Sequence, residues 1–245
     1  MSIDIPSSIA VVTGAGSGIG KATAVALSDL GATVIACDVE RDRLQQLSAG
    51  HPRLVPFELD VTDMKAVGDM PDRLPQALQA VNILVNAAGH DIGGRRPFPT
   101  GDAARYANII ETNLTGLITM TLAFARGMSE RRTGHIVNLG STAGLRSEAT
   151  TSTYSASKHG VHGFTECLRK DFTGTGIRVS ELNPGRVRTN FGYARAETTA
   201  QGDQFYAEVG ACLTPEDVAR AIIYALSQPE HVVIAQMVLM PSAQS

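Results

Sequence analysis

Tyr154 and Lys158 stand four residues apart in the segment Tyr154-Ser-Ala-Ser-Lys158, and Ser141 precedes Tyr154 by 13 residues. On a helix, residues four apart project from one face. The Lys158 ammonium can therefore sit beside the Tyr154 phenol and favour its ionised form. A phenol, an ammonium and a hydroxyl brought together make a site for moving a proton. A second constellation opens the chain, where Thr13-Gly-Ala-Gly-Ser-Gly18-Ile-Gly20 follows an apolar run and precedes a helical pattern. Backbone N–H groups in such a turn, with a helix N-terminus behind them, suit a pyrophosphate. Gly14, Ser17, Gly18 and Ile19 are expected to contact a dinucleotide there. The spacing is T-G-x-x-x-G-x-G, not G-x-G-x-x-G, and its weight comes from the order strand, turn, helix.

Asp38 follows the second apolar run, about 20 residues beyond the glycines, where an acid accepts hydrogen bonds from ribose hydroxyls and repels a 2′-phosphate. This favours NAD over NADP, with Arg41 and Arg43 read as solvated positions on the next helix. Asp60 and Val61 follow the third apolar run; they either contact the adenine, or Asp60 caps the helix that starts near Met64. Ser141 lies just past a predicted strand, at the edge where open α/β sheets bind ligands. Asn113 falls inside a long helical pattern, where a polar residue usually faces solvent or weakens the helix.

These residues need a scaffold, and short β-branched runs alternating with helical patterns predict one built of βαβ units. Strands are expected at Ile9–Thr13, Thr33–Cys37, Leu54–Leu59, Asn82–Val85, His135–Leu139, Arg178–Leu182 and Val232–Leu239. Helices are expected near Gly18–Leu30, Arg41–Leu47, Met64–Leu78, Asp102–Glu130, Tyr154–Phe172 and Pro215–Leu226. Thr214, Pro215 and Asp217 mark the start of the last one. The expected fold is α/β, a doubly wound and mostly parallel sheet of seven strands, Rossmann-like, in a single domain over 1–245. Two stretches read as loops, Gly89–Thr100 and Pro184–Leu213, and the second is long enough for a substrate lid over 184–213.

The 245 residues include 43% apolar and 18% charged ones, which suits a globular chain with a sizeable core. A net charge of -3 without a basic cluster offers no footing for nucleic acid. No apolar run approaches the roughly 18 residues of a membrane span, and the N-terminus has no basic stretch leading an apolar one. Neither membrane binding nor export is expected, and a cytoplasmic location follows. Cys37, Cys167 and Cys212 have no CxxC spacing, so buried reduced thiols are expected, not disulfides or zinc. His159 and His162 lie three apart without an evident third ligand, and no metal is expected.

Together, the glycine turn, Asn113, Ser141, Tyr154 and Lys158 resemble the short-chain dehydrogenase/reductase family, with a match running from Thr13 to at least Thr189. The resemblance implies that Tyr154 is the acid/base and that Ser141 orients the substrate oxygen. It further implies that Lys158 binds the nicotinamide ribose and lowers the tyrosine pKa, and that Asn113 supports a water-linked proton relay. It places Asn86 in the cofactor region and makes Pro184 and Gly185 the start of a nicotinamide-side loop, with Val187 and Thr189 near the carboxamide. Asn86-Ala87-Ala88-Gly89 departs from the family's usual Asn-Asn-Ala-Gly, a mainly structural segment. The ending Leu239-Met-Pro-Ser-Ala-Gln-Ser245 in place of a Gly-Gly segment, with His135–Gly144 and Leu213–Ala219, is similar to the serine and 3-hydroxy acid dehydrogenase branch. That branch commonly prefers NADP, from which Asp38 is a local departure. Family likeness also implies a homotetramer or homodimer through the helices Asp102–Glu130 and Tyr154–Phe172, where Ile109, Leu117, Val161 and Phe164 recur at helical spacing and serve either that contact or core packing against the sheet.

The expected activity is an oxidoreductase interconverting a small polar alcohol and its carbonyl. Arg95, Arg96, Arg146, Arg186 and Arg188 border the predicted site edge, and an arginine fork there would suit the carboxylate of a short hydroxy acid. Arg146 ranks first because it lies five residues beyond Ser141. His90 is a further candidate for touching the substrate. The alternative is a non-catalytic NAD(H)-binding redox sensor, which would need the glycines and Asp38 but no proton-transfer apparatus. A nucleotide-sugar epimerase would need a larger substrate domain.

Overall fold

In a computed structural model that describes residues 3–92, 96–195 and 199–243, seven parallel strands form one sheet in the order β3-β2-β1-β4-β5-β6-β7. They are β1 Ile9–Thr13, β2 Thr33–Asp38, β3 Leu54–Glu58, β4 Ile83–Asn86, β5 Gly134–Leu139, β6 Ile177–Pro184 and β7 Gln236–Leu239. Chain order reverses between β1 and β4, the switch point at which open α/β sheets place their ligands.

The helices are α1 Gly18–Asp29, α2 Arg41–Ala49, α3 Met64–Arg73, α4 Ala103–Ile110, α5 Gly116–Arg131, α6 Ser152–Asp171, α7 Asn190–Arg195, α8 Thr199–Val209 and α9 Pro215–Leu226. Successive strand residues point to opposite faces, and the two halves of each apolar run therefore serve two cores. Val12, Val34, Val85 and Val137 pack on one side with Leu27 of α1 and Ile222 of α9. Val11, Ile35, Leu84 and Ile136 pack on the other with Val67 of α3 and Phe124 of α5. Burial on both faces explains why these strands are continuously apolar. Thr214 and Asp217 form a reciprocal capping box that brackets Pro215, as their spacing predicts.

Several boundaries differ from expectation. The helix from Met64 ends at Arg73, because Leu74 precedes Pro75 and is extended (ψ 142°). The long pattern Asp102–Glu130 is two helices joined by a π-helical turn, Glu111–Thr115. The stretch read as a loop over 184–213 holds α7 and α8, while β6 runs on to Pro184. β7 begins only at Gln236. Among the thiols Cys37 alone is buried; Cys167 is exposed and Cys212 half-buried, and all three are free. Among the described residues no helix is long and apolar enough to cross a membrane, and no group of three metal-ligating side chains occurs.

Candidate active site

The turn from Thr13 to Gly20 joins β1 to α1 at the switch point. Gly14 and Gly18 adopt φ +66° and +52°, the left-handed region that favours glycine. A Cβ on Gly20 would lie 2.2 Å from the Gly14 carbonyl oxygen, so a side chain there would force the turn open. Ser17 occupies the N-cap of α1 without bonding the helix, leaving its hydroxyl and the first free N–H groups beside the cleft. These features fit the pyrophosphate of a dinucleotide. The Thr13 hydroxyl accepts from Ala87 N and Ala88 N, each at 3.0 Å, and ties the turn to the end of β4. The threonine that opens the motif is the sequence signal for this fastening.

A cleft of about 510 Å³ extends along this edge, lined by Gly14, Ser17, Gly18 and Ile19 at the turn. Asp38, Asp60 and Val61 line it at one end, and Ser141, Tyr154, Lys158, Pro184, Gly185, Val187 and Thr189 also line it. Asp38 Oδ2 accepts from Gly16 N at 2.9 Å and Oδ1 from Glu40 N at 3.0 Å. Each oxygen keeps a lone pair for a further donor. Asp60 Oδ1 accepts from the amide and hydroxyl of Thr62 at 2.9 and 2.7 Å. The cap of α3 is instead Asp63, which accepts from Ala66 N, so the capping alternative for Asp60 falls. Arg41 and Arg43, both read as solvated, part company. Arg41 approaches Glu58 at 3.9 Å, whereas Arg43 lines the cleft along with Asp38.

Tyr154 and Lys158 project from α6 and are both buried. Lys158 Nζ lies 5.9 Å from the Tyr154 ring centroid and donates to the Leu139 carbonyl at 2.8 Å. Burial depresses its pKa to about 8, with the Glu181 carboxylate pulling the other way. Ser141, just beyond β5, accepts on Oγ from Ala143 N and donates its own N–H to Asn183 Oδ1 at 2.9 Å. Phe191 of α7, unforeseen from sequence, meets the Tyr154 ring edge-on with centroids 5.4 Å apart.

Asn113 lies in the π turn, and its side chain is fully buried, not solvent-facing. Its Oδ1 accepts from His90 N at 2.8 Å while Nδ2 donates to His90 O at 2.9 Å and to Ser157 Oγ at 3.1 Å. The amide thus clamps the chain next to Gly89, where a Cβ would lie 3.7 Å from Lys158 Nζ. Asn86 is buried one layer behind the cleft. It donates to Thr121 Oγ1 at 3.0 Å and Asn138 Oδ1 at 2.9 Å, which makes it part of the cleft floor instead of its lining.

Of the substrate-side candidates, His90 lines the cleft. Its Nε2 lies 3.2 Å from Thr112 Oγ1, and burial pushes its pKa below the usual imidazole value. Arg96, Arg146, Arg186 and Arg188 do not line the cleft, and Arg95 lies outside the described residues. Arg146 is exposed, the chain having turned back through Thr142–Gly144 with Arg146 N donating to Thr142 O at 2.9 Å. Arg188 stacks over the Tyr206 ring at 5.1 Å.

Comparison with known proteins agrees with this geometry. The sequence model of the family described as short chain dehydrogenase matches residues 8–200. Sulfoacetaldehyde reductase 2 of Chromohalobacter salexigens is 37% identical over 244 residues, covering 98% of this chain and 96% of that one. The NADP-dependent 3-hydroxy acid dehydrogenase YdfG of Salmonella typhimurium is 36% identical over 239 residues, covering 97% and 96%. A closed form of serine dehydrogenase complexed with NADP+ has a TM-score of 0.88 at 36% identity over 96% of each chain. Kinship therefore extends along nearly the whole chain, and the protein belongs to the short-chain dehydrogenase/reductase family as a nicotinamide-dependent oxidoreductase.

Proposed function

We propose that the protein interconverts a short hydroxy acid, or a similar small polar alcohol, and its carbonyl, with NAD as cofactor and Tyr154 as the acid/base. The observation that carries this is the buried Tyr154 and Lys158 pair in the same cleft as the glycine turn. When bound, the nicotinamide supplies the hydride chemistry. During oxidation Tyr154 takes the hydroxyl proton, and Ser141 donates to the developing alkoxide. The Ser141 oxygen already accepts from Ala143 N, which leaves its O–H for the substrate. A free phenol ionises near pH ~10, so the Lys158 charge is needed to bring Tyr154 into range. Lys158, whose ammonium donates to Leu139 O, would also bind the nicotinamide ribose, and Asn113, which clamps the His90 backbone, would support the proton relay.

The proteins to which this chain is similar are named for sulfoacetaldehyde, a 3-hydroxy acid and serine, each a substrate with an acid group, and this supports the acid reading. Absorbance of the reduced nicotinamide across a panel of hydroxy acids and matched neutral alcohols tests it. The acids are expected to give kcat/KM at least about tenfold higher. Ala variants of Arg95, Arg96, Arg146, Arg186 and Arg188 then show whether an arginine on the proposed lid or its neighbours meets the acid, by a rise in KM for acids alone. Equal rates for both classes would leave a neutral alcohol, and no signal with any would favour the redox sensor.

The NAD preference rests on Asp38, bonded to Gly16 N within the cleft. Asp38→Ala is expected to lower kcat/KM for NAD by about 10- to 100-fold, the loss of one or two charge-assisted hydrogen bonds, and to improve NADP. A native preference for NADP, the cofactor in the names of the 3-hydroxy acid dehydrogenase and the serine dehydrogenase complex, would show that Arg43 outweighs Asp38. Assembly as a homotetramer or homodimer is a further part of the proposal. Ile109, Leu117 and Val161 are buried within the subunit, so Phe164 and the exposed Leu122 of α5 are left for the contact, and a monomer by light scattering would overturn it.

A further inference from the structure

The face of α6 that presents Tyr154 and Lys158 continues one turn further to His162, at the same spacing of four. His162 is partly exposed, with 34% of its side chain accessible, and its Nδ1 lies 2.8 Å from Oε2 of Glu181, whose side chain is 0% exposed. With a carboxylate as partner the ring proton sits on Nδ1, and the N–H donates to the carboxylate. Gln236 on the edge strand β7 brings its amide to 3.5 Å from the same oxygen. The other oxygen, Oε1, has no hydrogen-bond partner among the described residues. It lies against Gly140, where a Cβ would come within 2.7 Å of it. Gly140 directly follows Leu139, the residue whose carbonyl holds Lys158 Nζ, and β6 pairs with β5 so that Glu181 stands opposite Asn138. The half-satisfied carboxylate is thus packed behind the strand end to which the ammonium is tied.

A buried carboxylate with one unpartnered oxygen is costly, and an aliphatic residue at the same place would avoid that cost. Such a group calls for an explanation other than stability. We propose that Glu181, held in place by His162, is a positioning residue for proton transfer: its buried charge keeps Lys158 an ammonium at the pH of catalysis, and through Lys158 keeps the Tyr154 phenol ionisable. The inference rests on the role given to Lys158 above. Burial depresses the Lys158 pKa and Glu181 opposes that depression, in keeping with the geometry. The titratable groups facing this cluster are Tyr154, Lys158, His162 and Glu166 on α6 and Glu181 on β6, while β5 and β7 contribute the Leu139 carbonyl and the neutral amide of Gln236.

The chain has four lysines, Lys21, Lys65, Lys158 and Lys170, so 13C labelling at Cε gives four signals, and Lys158→Met assigns the one that matters. In the full-length protein, with and without NAD, Glu181→Gln is expected to lower the Lys158 titration by about one pH unit, the scale of one nearby charge in a protein interior. The alkaline limb of the kcat profile should fall by the same amount. His162→Phe, which removes the donor, should shift both in the same direction, and His162→Gln, which restores one, should bring both back toward the native values. An unchanged Lys158 titration in Glu181→Gln and His162→Phe would overturn the proposal and leave Glu181 a structural residue. Should Glu181→Gln fail to fold, the His162 pair decides alone. A titration that moves while the kcat limb does not would instead count against the role assigned to Lys158.

Discussion

Tyr154→Phe is expected to lower kcat by about 10²- to 10⁴-fold, the range that general acid–base catalysis supplies, while the Kd for NAD stays within about twofold. The substitution removes one hydroxyl and nothing else. The ring keeps its edge contact with Phe191 and its place beside Lys158, so the glycine turn, Asp38 and the Lys158 ammonium still meet the cofactor unchanged. Nicotinamide absorbance measures the first quantity and fluorescence titration the second. Activity within tenfold of the native protein would remove Tyr154 from proton transfer, since among the described residues no other phenol lines the cleft.

Lys158→Met is expected to cost activity on a similar scale and, at neutral pH, to make the protein harder to unfold. Lys158 is only 6% exposed, and burial brings its pKa to about 8, against ~10.4 for a lysine in the unfolded chain. Between these values the unfolded chain holds a proton that the folded protein has released, so stability rises with pH across that interval. The rise amounts to about 3 kcal/mol at 1.36 kcal/mol per unit, and below pH 8 the folded protein bears the full cost of the buried charge. Methionine has comparable length and no charge, and it forfeits one hydrogen bond to Leu139 O, about 1 kcal/mol. The variant should therefore be more stable than the native protein by about 2 kcal/mol at pH 7, an advantage that shrinks as pH rises from 8 to 10. Urea unfolding at pH 7 and pH 9.5 measures this, and a native protein as stable as the variant at pH 7 would show that the ammonium is not strained by its burial. A variant more stable at pH 7 yet far less active would tie both changes to one buried charge, retained for function.

What the local pattern of residues decided here is considerable. The central strands could be placed from β-branched runs, because a strand buried on both faces is apolar throughout, and the helical patterns between them pointed to βαβ units and a parallel sheet. The glycine turn, Asp38 and the Tyr154–Lys158 spacing were legible for the same reason, since a left-handed φ, a strand-end carboxylate and a one-turn separation are properties of a few consecutive residues. Kinship then added roles for Ser141 and Asn113 that no spacing within the chain would have supplied.

What only the tertiary structure decided involves partners far apart in sequence or departures too small to disturb a pattern. One π turn buries Asn113, yet the helical spacing on either side of it continues almost unchanged. α7 and α8 lie inside the long stretch read as a loop, because Tyr206 accepts from Thr189 N and Gly192 N, 17 and 14 residues away, and gathers the segment around itself. Arg41 and Arg43 are two residues apart on one helix and meet different environments, one at Glu58 and the other at the cleft. Glu181 and His162, 19 positions apart, are unremarkable polar residues in the chain. Their meeting behind Lys158 depends on how α6 lies across β5 and β6, and a helix-to-sheet packing distance is set by the side chains of both layers at once, so no single stretch of sequence records it.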